Sequence, residues 1–364
     1  MATRPPAYHD DFDDPPTGQD HEDHDQAETS SEEDLWFLPG PVEDDSDDPL
    51  PRTPAAYPQP AISDDWRKAE AANAARLAHL AGRVGALHDR LMRGPHGWHH
   101  RLALIEAANL SWVTGDRIGP DRLALWICMH LGGVQDDTAA LSRAEWAVRR
   151  LTKGPGPQAD LAAFLDRRDP QSPRSGAEPL ADRADSWCEL MAEAADLHPI
   201  TRAAMSFHLW SLAGLDHDGS RMEAAVTAAR LAASEAPDQH QGAIFMPLAT
   251  GGAGGLRAGG TPTERLARWI DGARTACLAA MRHLDDIEAW SIRARTAMTA
   301  QSGRTPPALR TALAEWPAIS APMAQALTGA SRAAVQRNLV WMHQHGLIRE
   351  MTGQGRYRMW RAAL

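Results

Sequence analysis

The sequence predicts a mainly α-helical protein, in which a helical body is followed by a C-terminal winged helix-turn-helix. Two observations predict this fold, and a third distinguishes the two ends of the chain. The middle of the chain lacks the alternation of apolar and polar residues that is typical of strands. Near the C-terminus, helix-capping residues and glycines fall where two short helices would begin and end. The two ends of the chain also carry opposite net charges. We therefore divide the 364 residues into segments 1–60, 61–302 and 303–364.

Segment 1–60 is predicted to be a disordered acidic tail. It is rich in acids and prolines and poor in aliphatic residues, so it cannot bury enough apolar surface to offset the entropy of ordering. Residues 1–65 hold nineteen acidic residues and two arginines, a net charge of −17. No run is long and apolar enough to span a bilayer, and the acidic start does not resemble a secretory signal.

Segment 61–302 is predicted to be almost entirely helical, because alanine, leucine, arginine and glutamate dominate it. The last predicted helix is long, and we expect it to be broken or bent. The glycine-rich stretch 250–260 lacks the Gly-Lys-Ser/Thr of a phosphate-binding loop and is predicted to be a flexible loop. The predicted helices are 65–91, 98–111, 120–131, 138–151, 160–165, 180–197, 200–213, 222–234 and 263–299.

Three cysteines lie in apolar helical sequence, far apart along the chain. Cys128, Cys188 and Cys277 are odd in number and have none of the spacings typical of zinc sites. We interpret them as reduced, buried thiols, which is typical of a cytoplasmic protein.

Two serines and two glycines define the predicted helix pair of segment 303–364. Ser320 and Ser331 can each cap the start of a helix, because a short side-chain oxygen accepts hydrogen bonds from free N–H groups of the first turn. Pro322 falls in a first turn, where its missing N–H costs little. Gly329 supplies the turn between the helices and Gly346 ends the second one. This order predicts a helix-turn-helix.

After the helix pair, the pattern predicts a β-hairpin that serves as the wing. Residues 347–351 and 356–361 are short β-prone runs joined by a turn that contains glycine. In the second helix, Val335, Leu339 and Met342 recur at helical spacing and should face the core. The opposite side carries groups that can pair with base edges or phosphates. The predicted DNA-contacting residues are Ser331, Arg332, Gln336, Arg337, Gln344, Gln354, Arg356 and Arg358.

The charge distribution favours double-stranded DNA as the partner of segment 303–364. That segment holds eight arginines and two glutamates, a net charge of +6, although the whole chain has a net charge of −11. A basic end is expected where a protein meets a polyanion. An arginine-rich face can also bind an acidic protein or the chain's own acidic tail. A second copy of the chain is a further candidate partner, and no membrane partner is expected.

Candidate chemical sites are sparse in this sequence. Asp216, His217 and Asp218 are close enough in sequence to form a metal or acid–base site, and His96 and His100 have the i, i+4 spacing of helical metal ligands. Pro95 and Gly97, however, place His96 in a turn, and no His-Glu-x-x-His motif or cysteine pair is present. We therefore expect no metal and no cofactor.

Two stretches of the body resemble Fic-domain proteins, which transfer nucleotide or related phosphate groups to protein hydroxyls. Residues 197–206, Leu-His-Pro-Ile-Thr-Arg-Ala-Ala-Met-Ser, are similar to the helix before the Fic motif, and Asp218-Gly219 then match its acidic residue and glycine. Residues 106–115, Glu-Ala-Ala-Asn-Leu-Ser-Trp-Val-Thr-Gly, resemble the inhibitory segment of that family. The resemblance implies a degenerate Fic-like body. Many Fic proteins also end in a winged helix.

The departures from the Fic motif imply that the body does not catalyse transfer. Gly214 stands where the resemblance places the catalytic histidine, and Ser220, Arg221 and Met222 replace the Asn-Gly-Arg that holds phosphates. Thr114 replaces the inhibitory glutamate, whose target arginine is itself replaced by Met222. Without a general base or a phosphate cradle, transfer is not expected.

A second resemblance covers the C-terminal end of the chain. Residues 347–360 are very similar to an uncharacterised bacterial family, often plasmid-borne, of helical proteins that end in helix-turn-helix domains. We therefore expect a DNA-binding, non-catalytic regulator of transcription or of a plasmid or mobile element. The alternatives are a divergent Fic-like nucleotidyl or phosphoryl transferase that uses Asp216, His217 or Asp218, and a non-catalytic interaction scaffold.

Overall fold

The computed structural model describes residues 59–129, 137–167, 179–217, 220–233, 244–353 and 358–364. These residues are mainly α-helical, as predicted, and the strands among them lie between residues 319 and 362. The predicted acidic tail lies outside the described residues, apart from its last two positions. No helix in the described ranges is long and apolar enough to cross a membrane.

Two long helices, α1 (Gln59–Arg93) and α9 (Pro262–Ala297), pack against each other along the body. Helix α9 is a single unbroken helix, so the predicted break is wrong. Gly272 lies within this helix and packs directly on Gly255, since a Cβ atom at Gly272 would lie 2.6 Å from the Gly255 Cα. The remaining helices of the body are α2 (Gly97–Ser111), α3 (Pro120–Met129), α4 (Thr138–Thr152), α5 (Leu161–Leu165), α6 (Leu180–Glu193), α7 (Pro199–His208) and α8 (Ser220–Leu231).

The helices α6 and α7 are shorter than the sequence predicts. Helix α6 ends at Glu193 rather than at residue 197, because a turn leads from it into Pro199, the first residue of α7. His198 caps α7 by accepting a hydrogen bond from the Ile200 N–H at 3.2 Å. Helix α7 ends at His208 rather than at residue 213, and turns follow up to Gly214, which has a left-handed φ of 66°.

A buried carboxylate holds the irregular segment before the glycine-rich stretch. Glu106 of α2 is fully buried, and its Oε1 accepts hydrogen bonds from the backbone N–H groups of Leu248 (2.7 Å) and Ala249 (2.8 Å). Its Oε2 accepts from the N–H and the hydroxyl of Thr250, at 2.9 and 2.6 Å. Burial raises the pKa of the Glu106 carboxyl, and these four hydrogen bonds oppose the rise.

The C-terminal segment alternates helices with short strands. Its elements are α10 (Thr305–Glu315), β1 (Ile319–Ser320), α11 (Ala321–Thr328), α12 (Arg332–Gln344), β2 (Ile348–Glu350) and β3 (Met359–Ala362). The strands form an antiparallel sheet in the order β1-β3-β2, in which Ile319 pairs with Trp360 and Ile348 with Ala362. The helices α11 and α12 and the hairpin strands β2 and β3 are predicted from the sequence, whereas α10 and β1 are not.

The C-terminal segment and the body share buried contacts. Trp290 of α9 donates a hydrogen bond from Nε1 to the carbonyl of Leu347 at 2.7 Å, and both groups are buried. Gly97 at the start of α2 packs against the end of α10, since a Cβ atom there would lie 2.7 Å from the Glu315 carbonyl oxygen. These contacts fix the position of α10 and of the α12–β2 turn on the body.

The three cysteines are free thiols, as predicted. Cys277 is buried, and burial together with the charge of Glu106 raises the pKa of its thiol to about 12. Cys188 is half-buried. The prediction of burial is wrong for Cys128, which lies exposed near the end of α3, where no described element covers it.

Candidate nucleic-acid interface

The helix pair α11–α12 is built by the local signals that the sequence indicates. The Ser320 hydroxyl caps α11 by accepting from the Met323 N–H at 3.3 Å, and the Ser331 hydroxyl caps α12 by accepting from the Ala334 N–H at 3.3 Å. Gly329 ends α11 in the left-handed region with a φ of 64°, and Gly346 follows α12 with a φ of 68°. The capping serines and both glycines are therefore confirmed.

Helix α12 has a buried face and an exposed face. Val335, Leu339 and Met342 are fully buried, as their spacing predicts. Arg332 and Arg337 lie exposed and form no hydrogen bond or ion pair within the described residues. Gln336 and Gln344 are exposed on the same helix, beside the small exposed residue Ala333. This face therefore offers two free guanidinium groups and two amides to a partner.

Ser331 lies at the start of α12, where its hydroxyl is already used to cap the helix. The free N–H groups and the positive end of the helix dipole lie at the same place. Such a helix start can hold a phosphate oxygen. The structure thus places Ser331 next to Arg332 at the end of the helix that is best suited to a backbone phosphate.

The connection between β2 and β3 carries the remaining predicted contacts. Gln354 and Arg356 lie outside the described residues, whereas Arg358 is exposed. Glu350 of β2 anchors the start of the connection, since its carboxylate accepts from the N–H of Thr352 (2.8 Å) and of Gly353 (3.0 Å). Burial raises the pKa of the Glu350 carboxyl, but these hydrogen bonds and the charge of Arg358 outweigh burial, so the pKa is lowered.

The structure separates the arginines of the segment into exposed and engaged groups, which the sequence could not do. Arg349 of β2 is exposed and was not among the predicted contacts. Arg361, in contrast, forms an ion pair with Asp121 of α3, at 3.3 Å between Nη1 and Oδ1. Arg310 donates to the Ser291 hydroxyl at 3.1 Å. Part of the positive charge therefore serves the contact with the body.

A buried arginine fixes the end of α10. Arg101 of α2 donates from Nη2 to the Leu313 carbonyl at 2.8 Å and from Nε to the Ala314 carbonyl at 3.2 Å, and it also bonds the Trp316 carbonyl. These carbonyls lie at the C-terminal end of α10, where helical partners run out and a cation is favourable. Burial lowers the pKa of Arg101 to about 9.

Of the candidate acid–base residues of the body, His217 is held in a polar contact. His217 Nε2 lies 2.8 Å from Glu223 Oε2, and Arg167 bonds the same carboxylate oxygen. The Oε2 atom of Glu223 and one ring nitrogen of His217 are thus engaged with each other and with Arg167. Asp218 lies outside the described residues, and Asp216 is exposed.

Near the start of α2, the histidines do not form a metal site. The rings of His96 and His100 lie 6.2 Å apart, and His100 packs against Trp316 at 5.0 Å. Within the part of the chain that the structure describes, no three residues of metal-ligating type lie close enough to hold an ion.

Three positions at which the sequence departs from the Fic motif and its inhibitory segment, Gly214, Met222 and Thr114, lie among the described residues. Gly214 lies in a turn, and Met222 is buried in α8. Thr114 donates a hydrogen bond from its hydroxyl to the Ser111 carbonyl at 2.9 Å and lies 2.7 Å from Asp116 Oδ2. Neither a protein-family model nor a curated protein matches this chain. The two resemblances therefore remain predictions from the sequence.

Proposed function

We propose that segment 303–364 forms a winged helix-turn-helix that binds double-stranded DNA, with α12 as the recognition helix. The element order helix, strand, helix, helix, strand, strand supports this assignment. So does the sheet order β1-β3-β2, which places β3, the last strand, between the other two. The protein then acts as a DNA-binding regulator of transcription or of a plasmid or mobile element, and the bacterial family that residues 347–360 resemble supports this role.

One observation carries the proposal: Arg332, Gln336 and Arg337 are exposed on one face of α12 and make no ion pair within the described residues. An α-helix fits the major groove of B-DNA, where an arginine can bind the two acceptors of guanine and a glutamine can pair with adenine. The opposite face of α12 is fixed by Val335 and Leu339, so the exposed side chains project from a rigid support.

The remaining cations suit contacts with the DNA backbone. Arg349 lies exposed on β2, and Arg358 lies exposed directly before β3. In a winged helix, this hairpin lies beside the groove that the recognition helix enters. Arginines there would bind phosphates, position the protein on the duplex and carry no sequence information themselves.

The test uses the full chain, because Arg101 and Trp290 tie the C-terminal segment to the body. Duplexes selected from a random pool are labelled, and the dissociation constant is measured by fluorescence anisotropy at several salt concentrations. We expect one enriched sequence and an affinity that falls steeply with salt, because bound phosphates release counterions. No binding at low salt would refute the proposal and would favour the interaction scaffold.

The transferase alternative is tested on the same preparation. We expect no labelled nucleotide on the protein or on candidate target proteins after incubation with ATP and Mg²⁺, because Gly214 offers no base. Labelling that His217→Ala abolishes would establish the transferase instead. His79→Ala, at an exposed histidine of α1, is the matched control.

A further inference from the structure

Three arginines lie near enough to one half-buried histidine of the body to interact with it through their charges. His208 ends α7, and its ring stacks on Trp66 of α1, with ring centroids 5.9 Å apart, and meets the ring of Trp269 of α9 edge-on at 6.3 Å. Arg265 and Arg268 precede Trp269 by four positions and one position in α9, and Arg221 lies in the first turn of α8. We call Arg221, Arg265 and Arg268 the arginine cluster.

Two members of the arginine cluster are held in place by the glycine-rich stretch. Arg221 donates from Nη2 to the Leu256 carbonyl at 2.9 Å, and Arg268 donates to the Gly259 carbonyl. Gly260 allows this approach, since it has a φ of 98° and a Cβ atom there would lie 3.4 Å from the terminal nitrogens of Arg268. These carbonyls use one donor of each guanidinium and leave its other donors for a ligand.

The positive charge of this cluster is not neutralised by the described residues. None of the three arginines forms an ion pair within them. The carboxylate of Glu264 interacts with Arg268 through space, but Thr261 holds it, with N–H and hydroxyl contacts of 2.8 and 3.0 Å. The buried Nε atoms of Arg265 and Arg268 and the buried His208 Nε2 have no hydrogen-bond partner among the described residues.

Arg221 is exposed, and Arg265 and Arg268 are half-buried, so their outer nitrogens are open to a ligand. An anion bound there would relieve the repulsion between the three like charges and could accept hydrogen bonds from donors that lack a partner. We propose that His208 and the arginine cluster form a binding site for a small phosphate-bearing anion. The electrostatics around His208 agree with this assignment: burial, followed by the charges of Arg265, Arg268 and Arg221, lowers its pKa to about 3.

A phosphate group fits this site better than a carboxylate does. It offers three acceptor oxygens that point in different directions and carries up to two negative charges. The guanidinium groups come from two helices, so a tetrahedral group can meet all three, whereas a planar carboxylate can match the fork of one arginine at a time. The fully buried rings of Trp66 and Trp269 are closed to stacking, so only the phosphate end of a ligand is recognised here.

The first test measures binding of inorganic pyrophosphate and of inorganic phosphate to the full chain by isothermal titration calorimetry. We expect saturable binding at one site, which Arg265→Gln weakens about tenfold or more, because one charge-assisted hydrogen bond is lost. Arg265 is the best position, since it makes no contact that its removal would break. Arg268→Gln provides a second variant. Arg274→Gln, an exposed position of α9 that pairs with Asp271, is the matched control and should bind normally.

A second measurement reads the site directly. Titration of the His208 ring by NMR should show a pKa that rises towards its ordinary value when pyrophosphate binds, because the anion offsets the charge of the arginines. The Arg274→Gln variant should show the same rise. If the pKa of the His208 ring is the same with and without saturating pyrophosphate, the proposal is overturned.

Three other outcomes would also overturn it. The first is no binding at millimolar pyrophosphate, and the second is equal affinity in Arg265→Gln, Arg268→Gln and the unaltered chain. The third is displacement of pyrophosphate by the chain's own acidic segment or by duplex DNA. If pyrophosphate binds only after residues 1–60 are deleted, that acidic segment is the anion that occupies the site in the full chain. If duplex DNA competes with pyrophosphate, the arginine cluster is a DNA contact. Loss of DNA binding in α12 variants leaves the pyrophosphate result unchanged, so the two proposals fail separately.

Discussion

Arg101 of α2 donates a hydrogen bond to the carbonyl of Leu313, at 2.8 Å from Nη2, although the two residues are 212 positions apart. The same guanidinium bonds the carbonyls of Ala314 and Trp316. A body helix therefore completes the end of α10, the first helix of the proposed winged helix-turn-helix. Helix α10 in turn packs against α12, so the contact of Arg101 links the body to the helix pair.

Arg101→Met should lower the free energy of unfolding by about 2 kcal/mol, because two buried carbonyls and one half-buried carbonyl lose their donor while the aliphatic part of the side chain is kept. Equilibrium unfolding in urea measures the change. Arg282→Met, at an exposed position of α9, should leave stability within about 0.5 kcal/mol of the original. Equal stability of the two variants would show that the Arg101 contacts contribute nothing.

Glu106→Gln should destabilise the protein by about 1–3 kcal/mol, because the amide nitrogen of glutamine faces the Thr250 N–H and cannot accept from it. Thermal and urea unfolding give the magnitude, and hydrogen exchange of the Leu248 and Thr250 amides should speed up in the variant. Glu189→Gln, at an exposed carboxylate of α6, is the matched control. Unchanged exchange at Leu248 and Thr250 would contradict the assigned role of Glu106.

Stability should fall as the pH drops from about 6.5 towards 4, and His88 should contribute to this fall. Burial lowers the pKa of His88 to about 4 from its ordinary value of 6.5, against the opposing effect of its contact with the Phe245 carbonyl at 3.3 Å. The unfolded chain therefore binds a proton first, and stability that is present above pH 6.5 is lost as the pH falls.

In His88→Gln, the dependence of unfolding free energy on pH should become shallower by up to about 1.4 kcal/mol per pH unit in this window. Urea unfolding at a series of pH values measures the slope. The same substitution at His79, which is exposed on α1, should not change it. A slope that is the same in both variants would exclude His88 as a contributor.

Arg337→Ala should weaken binding to the selected duplex by about 1–3 kcal/mol if its guanidinium contacts a base edge. Arg337→Lys should recover only part of the loss, because lysine keeps the charge but not the two-pronged donor. Anisotropy titrations with selected and random duplexes measure both effects. Equal losses on the two duplexes would make Arg337 a phosphate contact, and Arg282→Ala, at an exposed arginine outside the proposed interface, should change neither.

The sequence by itself determined the features that depend on neighbouring residues. Ser320 and Ser331 cap their helices, and Gly329 adopts its left-handed turn, because these preferences are set by local sterics and by hydrogen bonds across three or four positions. The buried face of α12 follows in the same way from the 3.6-residue period. Helix α10 escaped prediction because two prolines lie in its first turn and no side-chain cap precedes it.

Only the tertiary structure decided which of these local elements meet. It joined Arg101 to the end of α10, paired Arg361 with Asp121, placed Gly272 against Gly255, and brought the ring of His208 to that of Trp269. Helical periodicity shows which side of a helix is buried, but not which helix covers that side or which charge it meets. Those choices depend on side-chain shape and on the pairing of polar groups across the whole core, between residues far apart in the chain.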